Sequence, residues 1–422
     1  MSRLLASLAV FAAVLAAMVA LNGGATSPPA LSAGGDVGRS SGDAVADAQA
    51  AVRVAPASAS AYAALGDAYL SRARETGDPG FYSRAERALG AARRTEPGSL
   101  AALVGGATLA GLRHDFSEQL RLGAAARRVA PQLARPLTVI ADAQVELGRY
   151  GDAARTIQRL VDLKPGLPAY ARVSYFRELH GDLRGASEAM RFAISAGGGA
   201  ASIAYVETLL GDLALVRART GAARIAYRSA LRDLPAFPQA LTGLARVDAA
   251  GGEVRRAAAR MRRSTNRLPL TSSLVLLSEL ELALGRTRDA TADLAAARVQ
   301  HRLLRAGRIL PDAEGVLFEA NHGSPRQAVR LGRRVWRAAP SIRSADALSW
   351  ALTRSGRPRA GLGWARRALR TGSRDPLFRL HAGVAAGRSG RLHEAQRYLT
   401  SAVRGAAALS PASIRLLREA RS

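Results

Sequence analysis

The stretch ELGRYGDAARTIQRLVDLKPG (146–166) holds the pattern that decides the fold. Gly148 predicts the end of one helix, because glycine takes the left-handed backbone conformation at no steric cost. Small and apolar residues at helical spacing follow. Pro165 marks the far end, since proline cannot continue a helix. The stretch therefore indicates a turn, a second helix and a stop.

The pattern recurs at a fixed interval along the chain. Prolines lie 34 residues apart at Pro97, Pro131 and Pro165, and again at Pro235 and Pro269. The glycines follow the same period at Gly148 and Gly181, and at Gly323, Gly356 and Gly390. Small residues sit five and twelve positions after the glycine, as in Ala186 and Ala193. A constant period in this range is typical of a solenoid, and the abundance of Ala and Leu favours helices.

One unit shows which family the repeat resembles. It reads Tyr62, Leu65, Gly66, Tyr69, then Ala85, Leu89, Ala92 and Pro97. This resembles the tetratricopeptide repeat (TPR) family, and the stretch 165–194 resembles it again. The resemblance implies an all-α fold, a right-handed solenoid of stacked antiparallel helix pairs forming a TPR-like superhelix. We further expect a bacterial protein that is exported or membrane-anchored through its N-terminal segment.

The predicted organisation has four parts. Residues 1–25 are a signal peptide or an N-terminal membrane anchor, and residues 26–42 are a Gly/Ser/Pro-rich flexible linker. Residues 43–409 hold about ten TPR-like helix pairs, and residues 410–422 form a C-terminal capping helix. His114 stands where the second unit would have its glycine, which makes that turn irregular.

The N-terminal segment leaves two readings open. Arg3 precedes an uncharged run from Leu4 to Leu21, which as a helix would span about 27 Å, close to the thickness of a bilayer core. Small residues before and at Ala25 fit a cleavage site, so a cleaved signal and an uncleaved anchor are both compatible with it. Either way the rest of the chain is predicted to be extracytoplasmic, secreted or anchored by one helix.

No constellation of residues indicates catalysis. The chain has no cysteine, which excludes disulfides and thiolate chemistry. The sequence HEAQR at His393 lacks the second histidine of a zinc helix. His114, His180 and His322 all fall at turns between paired helices, where imidazoles cap carbonyls. We therefore expect no enzyme, metal site or cofactor, and instead a scaffold that binds a partner protein or peptide.

In TPR proteins the first helices line a concave groove, so the resemblance assigns groove positions here. They are Thr138, Asp142, Tyr175, Glu178, Thr208, Asp212, Thr242, Arg246, Glu279, Asp346 and Trp350. Trp350 is the best aromatic anchor for a partner, with packing between repeats as the alternative role. The family's clamp for chaperone tails needs Lys and Asn at positions where this chain has neither.

The basic charge of the chain gives an alternative function. The net charge is +28, and residues 251–422 contribute +21 of it. Their arginines fall on second helices, at Arg255, Arg256, Arg262, Arg263, Arg333, Arg334, Arg366 and Arg367. Such a surface could bind an anionic surface or polymer, or it could reflect a coding bias. We do not expect nucleic-acid binding, and we expect membrane contact only through an uncleaved N-terminal segment.

Overall fold

The computed structural model describes residues 41–422, and within them every regular element is helical. The predicted signal or anchor (1–25) and nearly all of the predicted linker lie outside these residues, so both stay predictions. Helix α1 begins at Ser41, inside the end of the range predicted as linker. Within residues 41–422, no helix combines the length and apolarity needed to cross a bilayer.

Ten consecutive helix pairs, numbered here as units 1 to 10, make up the body of the fold. Units 1 to 5 are α2 (Ala59–Thr76) with α3 (Gly80–Thr95), α4 (Leu100–Leu112) with α5 (Phe116–Val129), α6 (Ala134–Glu146) with α7 (Tyr150–Leu163), α8 (Leu167–Leu179) with α9 (Leu183–Ser195), and α10 (Ala200–Val216) with α11 (Thr220–Asp233).

Units 6 to 10 continue in the same order. They are α12 (Pro238–Ala250) with α13 (Val254–Arg267), α14 (Thr271–Ala283) with α15 (Thr287–Ala306), α16 (Ala313–His322) with α17 (Pro325–Ala338), α18 (Ile342–Arg354) with α19 (Pro358–Ala368), and α20 (Pro376–Gly387) with α21 (Leu392–Val403). Helix α1 (Ser41–Val54) precedes them, and a 3-10 turn (Ala406–Ala408) and α22 (Pro411–Glu419) follow. Each helix packs on its neighbours in sequence, which confirms the all-α solenoid of stacked helix pairs.

The turns between paired helices use left-handed backbone. Gly148 and Gly181 have φ angles of 66° and 79°, as their position after a first helix predicts. His114 takes φ 61° at the same place in unit 2. The irregular turn therefore forms without glycine, at the modest cost that a side chain adds in this conformation.

Small residues let the helices of a unit cross closely. Ala186 and Ala193 of α9 are fully buried, as their spacing predicts. The absence of side chains at Gly211 of unit 5 and Gly243 of unit 6 makes room for the Tyr227 ring, which a Cβ at either position would strike. Burial of one large ring between three helices stabilises both the pair and its junction with unit 6.

The solenoid returns onto itself after about 190 residues. The backbone N–H of Ile342 donates to the Tyr150 hydroxyl at 2.9 Å, and Thr371 Oγ1 donates to the Leu179 carbonyl at 2.6 Å, each across 192 positions. The Leu310 N–H likewise donates to the Arg113 carbonyl at 2.9 Å. Successive turns of the superhelix therefore touch, and the first helices face an enclosed interior.

The C-terminal helix does not continue the stack. Helix α22 contacts α21 and α20 of unit 10, but also α14 of unit 7. The Ala412 N–H donates to Glu279 Oε2 at 3.1 Å. Because α14 and α20 are both first helices, three units apart, α22 lies across the inner side of the solenoid.

Candidate functional site

The inner side of units 3 and 4 is held together by buried polar contacts. Arg172 donates to both carboxylate oxygens of Asp142, each at 2.6 Å, and its guanidinium is 2% exposed. Its third contact is the Pro168 carbonyl at 2.9 Å. The hydroxyl of buried Tyr175 donates to Glu146 Oε1 at 3.4 Å. Asp142 and Tyr175, both predicted as groove positions, are thus engaged within the fold.

Trp350 packs between repeats and does not present its ring to the interior. It is 3% exposed, its Nε1 donates to Asn321 Oδ1 at 2.8 Å, and its ring stacks on His381 with centroids 4.3 Å apart. Asp346, also buried, lies 2.9 Å from Nδ1 of the same histidine. Trp350 therefore has the alternative role, packing between repeats, and is not available as an anchor for a partner. Asp346 is likewise occupied, because its carboxylate orients the imidazole.

Three further predicted groove residues lie at the solvent-accessible edge of the interior. Asp212 accepts from the Tyr227 hydroxyl at 2.8 Å, and Arg246 lies 3.9 Å away, with both charged side chains 40% exposed. Glu279 is covered by α22 through its contact with Ala412. Asp212 and Arg246 thus remain available to a ligand. Glu279 is already bound by the Ala412 N–H of the same chain.

An unpaired arginine that the sequence did not single out lies among the carboxyl groups of the interior. Arg343, in the first turn of α18, makes no hydrogen bond or ion pair with any residue in 41–422. Glu146, Glu314 and Asp375 lie close enough to act on its charge. Burial would lower the pKa of Arg343, but Tyr175 and these acidic groups hold it above its usual value. Units 3, 8, 9 and 10 contribute these groups, so only closure of the superhelix brings them together.

The carboxyl groups of the interior have strongly raised pKa values. Burial raises the pKa of Glu146 to about 8, and Arg343 offsets part of that effect. Burial also raises the pKa of Glu178 to about 8, with a further increase from Asp375 and Asp212. Burial raises the pKa of Glu314 as well, with a further increase from Asp312. Glu178, a predicted groove residue, therefore faces the same acidic interior.

Two adjoining cavities lie within the interior. The inner cavity, of about 300 Å³, is lined by the polar side chains of Gln119, Glu146, Thr271, Asp312, Glu314 and Arg343, and by an apolar wall that includes Phe116 and Val335. The second, of about 190 Å³, is lined by Asp212, Gln239 and Arg246. Leu270, Ser272 and Glu314 line both, so one ligand could extend across the two.

The sequence missed most of the groups that line the inner cavity. Glu146 lies four residues after Asp142, and Arg343 lies three residues before Asp346. Helical spacing therefore places each of them on the same helix face as a predicted groove residue. That signal was present in the sequence. Gln119 carried no such signal, because it belongs to a second helix and reaches the cavity only from unit 2.

The arginines of the second helices have two different roles. The fully buried carboxylate of Asp248 is contacted by Arg256 at 3.2 Å, and that of Glu281 by Arg262 at 2.6 Å. The other engaged members of the predicted basic surface are Arg366, which pairs with Glu394 at 2.7 Å, and Arg367, which lies over the rings of Trp336 and Trp364. Four of the eight predicted surface arginines thus stabilise the fold.

The remaining four form a basic outer surface on α13 and α17. Its members, Arg255, Arg263, Arg333 and Arg334, are exposed and have no ion-pair partner among the described residues. The interior, by contrast, is rich in carboxyl groups.

Two of the three turn histidines, His114 and His180, contact backbone carbonyls through their rings. His180 Nδ1 lies 2.6 Å from the Phe176 carbonyl, in the last turn of its own helix. His114 Nδ1 lies 2.9 Å from the Leu310 carbonyl, which belongs to the next superhelical turn. No group of three or more His, Asp or Glu residues that could hold a metal ion occurs in 41–422.

Comparison with known proteins gives remote structural likenesses only. No family model and no curated protein matches the chain. Human IFIT1, solved as a dimer with PPP-AAAA, is 16% identical over 75% of this chain and 73% of that chain, with a TM-score of 0.48. A chain of the APC/C hetero-tetramer Cut9–Hcn1 is 14% identical over 90% of this chain and 81% of that chain, with a TM-score of 0.34. The fold assignment therefore rests on the helix pairing of the chain itself.

Proposed function

We propose that the chain is a non-enzymatic scaffold that holds a segment of a partner protein inside its superhelix. The inner cavity carries this proposal. Most groove positions are engaged within the fold, but there the Arg343 guanidinium, the Gln119 amide oxygen and the Glu314 carboxyl group face an open space without direct partners among the described residues. Unpaired polar groups that converge on a cavity are the usual mark of a binding site. Export and a bacterial source, both expected from residues 1–25 and the family resemblance, remain part of the proposal.

Site-specific photo-crosslinking tests where the partner lies. A photoreactive amino acid replaces Ser272, which is exposed and lines both cavities, or Arg263 on the basic outer surface. The full chain is exposed to envelope extract, irradiated and analysed by mass spectrometry. A defined protein joined at Ser272 and absent at Arg263 is the expected result. Crosslinks at Arg263 alone would overturn the proposal.

The basic outer surface supports a second candidate function, the binding of an anionic surface or polymer. Four exposed arginines on the second helices of units 6 and 8 have no ion-pair partner among the described residues, so their charge is available to a ligand. Replacing Arg263 and Arg334 together by glutamate should then abolish sedimentation with phosphatidylglycerol vesicles. Sedimentation should also fall as salt rises, because exposed charges are screened beyond about 8 Å at physiological ionic strength. Unchanged sedimentation of the double variant would exclude this function.

A further inference from the structure

We propose that the inner cavity binds a cationic group, the guanidinium or amine of a basic side chain carried by the partner segment. This inference rests on the proposed function and specifies the chemistry of its ligand. It follows from the charges that face the cavity, from an unpaired amide in its wall, and from its shape.

The ionisable groups facing the cavity are mostly carboxyl groups. Glu146, Asp312 and Glu314 contribute three carboxyl groups, from α6, the loop before α16 and α16 itself. Opposite them stand one permanent cation, Arg343, and one imidazole, His114. Arg343 has no direct contact with any of these carboxyl groups, so it acts on them only through space. A second cation bound beside these carboxyl groups would favour their ionised form and pair with them.

An independent observation points to a donor of hydrogen bonds. Gln119 is 1% exposed and lines the cavity, yet its Oε1 has no hydrogen-bond partner in the described part of the chain. Thr271 Oγ1, in the opposite wall, is also buried without a partner. In the adjoining cavity, Gln239 Oε1 is likewise a buried acceptor without a hydrogen-bond partner among the described residues. Buried acceptors without donors are costly, and an ammonium or guanidinium group carries several N–H donors.

The shape of the cavity suits a basic side chain. Its volume of about 300 Å³ lies at the small end of ligand sites, too little for a folded element and enough for one or two side chains. Phe116, Val335 and Ala338 supply an apolar wall. Lysine and arginine pack their methylene stems on such surfaces while the charged end reaches polar groups.

The protonation of Glu146 provides a readout specific to a cation. Burial raises the pKa of this carboxyl to about 8, so near neutral pH it is largely protonated in the empty cavity. A cation bound beside a carboxyl favours the ionised form and lowers its pKa. Binding should therefore release protons to the buffer, whereas an anionic ligand would take protons up.

The test uses the full chain and labelled short peptides of glycine and serine that carry either paired arginines or paired glutamates. Fluorescence anisotropy gives affinities, and calorimetry in two buffers of different ionisation enthalpy gives proton release. We expect the arginine peptide to bind with proton release and the glutamate peptide not to bind. Unlabelled spermidine as competitor distinguishes a small amine from a peptide side chain as the source of the cation.

Two substitutions should change the affinity for the arginine peptide in opposite directions. Glu314→Gln removes a carboxylate and should weaken binding about fivefold, the upper range for one partly exposed ion pair. Arg343→Gln removes the resident cation and should strengthen binding by a similar factor. Glu188→Gln, on the outer side of α9, is the matched control and should change nothing. Circular dichroism and thermal unfolding establish that each variant is folded.

The opposite pair of signs, weaker binding with Arg343→Gln and stronger with Glu314→Gln, would overturn the inference in favour of an anionic ligand. Binding of neither spermidine nor the arginine peptide would overturn it as well. The proposed function is separable, because crosslinking from Ser272 to a partner protein reports a partner in the interior whatever its charge.

Discussion

Tyr150 and Ile342 lie 192 positions apart in the sequence, yet the hydroxyl of the first accepts the backbone N–H of the second at 2.9 Å. The contact joins the start of α7 in unit 3 to the start of α18 in unit 9. It is one of several contacts at nearly the same sequence interval, so the superhelix is closed onto itself along its length. The enclosed interior exists only because of this closure.

Replacing Tyr150 by phenylalanine should destabilise the chain by about 1–2 kcal/mol, because it leaves the Ile342 N–H without an acceptor. Urea unfolding followed by circular dichroism measures the change. Tyr170→Phe is the control, because the Tyr170 hydroxyl makes no hydrogen bond with the described residues and its ring packs near Phe192. Equal stability of the two variants would mean that the inter-turn contact contributes nothing.

Gly181 tests the closure by a steric route. Its φ is 79°, and a Cβ there would collide with the Gly372 carbonyl oxygen of the next superhelical turn. Gly356 has nearly the same φ, 80°, but nothing within 4 Å of such a Cβ. Gly181→Ala should therefore cost about 1–3 kcal/mol more than Gly356→Ala, since backbone strain is common to both and only the first also clashes. Similar unfolding midpoints in urea would contradict the close approach.

The sequence predicted what is local and repeated. A glycine at Gly148 and prolines every 34 residues define the unit, because each acts on its own backbone and its nearest neighbours. The contact of Tyr150 with Ile342 could not be predicted in this way. It depends on small rotations between units that accumulate over more than five repeats, and no single residue pattern encodes their sum.

The candidate site could be predicted only in part, because a sequence pattern gives positions within a unit but not the contacts between distant units. Asp212 and Arg246, predicted as groove positions, are exposed and line the second cavity, since such positions follow from helical register within one unit. For Trp350 the sequence left an anchor role and a packing role open, because register cannot tell a lining residue from one that its neighbour covers, here His381. Arg343 gains its role only when units 3 and 9 face one another, and the sequence gives no such distance.

Removing one partner of the buried ion pair between Arg172 and Asp142 should destabilise the chain more than removing both. Arg172→Met leaves the carboxylate of Asp142 without its bidentate partner and should destabilise the chain by about 3–5 kcal/mol. Adding Asp142→Leu should restore most of the loss, because two apolar side chains can fill the same space without a charge. Urea unfolding of both variants measures this. A double variant no more stable than the single one would show that the pair is not coupled.

The stability of the chain should fall as pH rises from about 5 to about 8. The pKa of Glu146 and of Glu178 is raised by burial from 4.5 to about 8, so in this window the folded chain holds protons that the unfolded chain has released. Folding that binds protons weakens as pH rises, and the effect ends above the folded pKa. Burial is the main cause of the raised pKa of Glu178, to which Asp375 and Asp212 add and which Arg343 reduces.

Urea unfolding midpoints across that range measure the slope. Glu178→Gln should flatten it, because an amide does not titrate, whereas Glu188→Gln on the outer side of α9 should leave it unchanged. A stability that rises with pH in the wild-type chain would show that these carboxyl groups are ionised in the folded state.

Helix α22 should protect the inner side of unit 7 from solvent. Leu417 is buried among Leu409, Leu380 and Val384, and the start of the helix is held by Glu279. Leu417→Ala removes the main apolar contact of a helix only nine residues long, a loss of about 2–3 kcal/mol in a well-packed site. So short a helix has little stability of its own and should detach locally.

Hydrogen–deuterium exchange then gives the outcome segment by segment. The amides of α22 should exchange faster in Leu417→Ala, and protection should also fall in α14 around Glu279, which α22 covers. Leu392→Ala is the control, because Leu392 is largely exposed at the start of α21. If α22 lost protection while α14 kept it, the helix would be a terminal cap without a role over the interior, and residues around Glu279 would be protected by the solenoid alone.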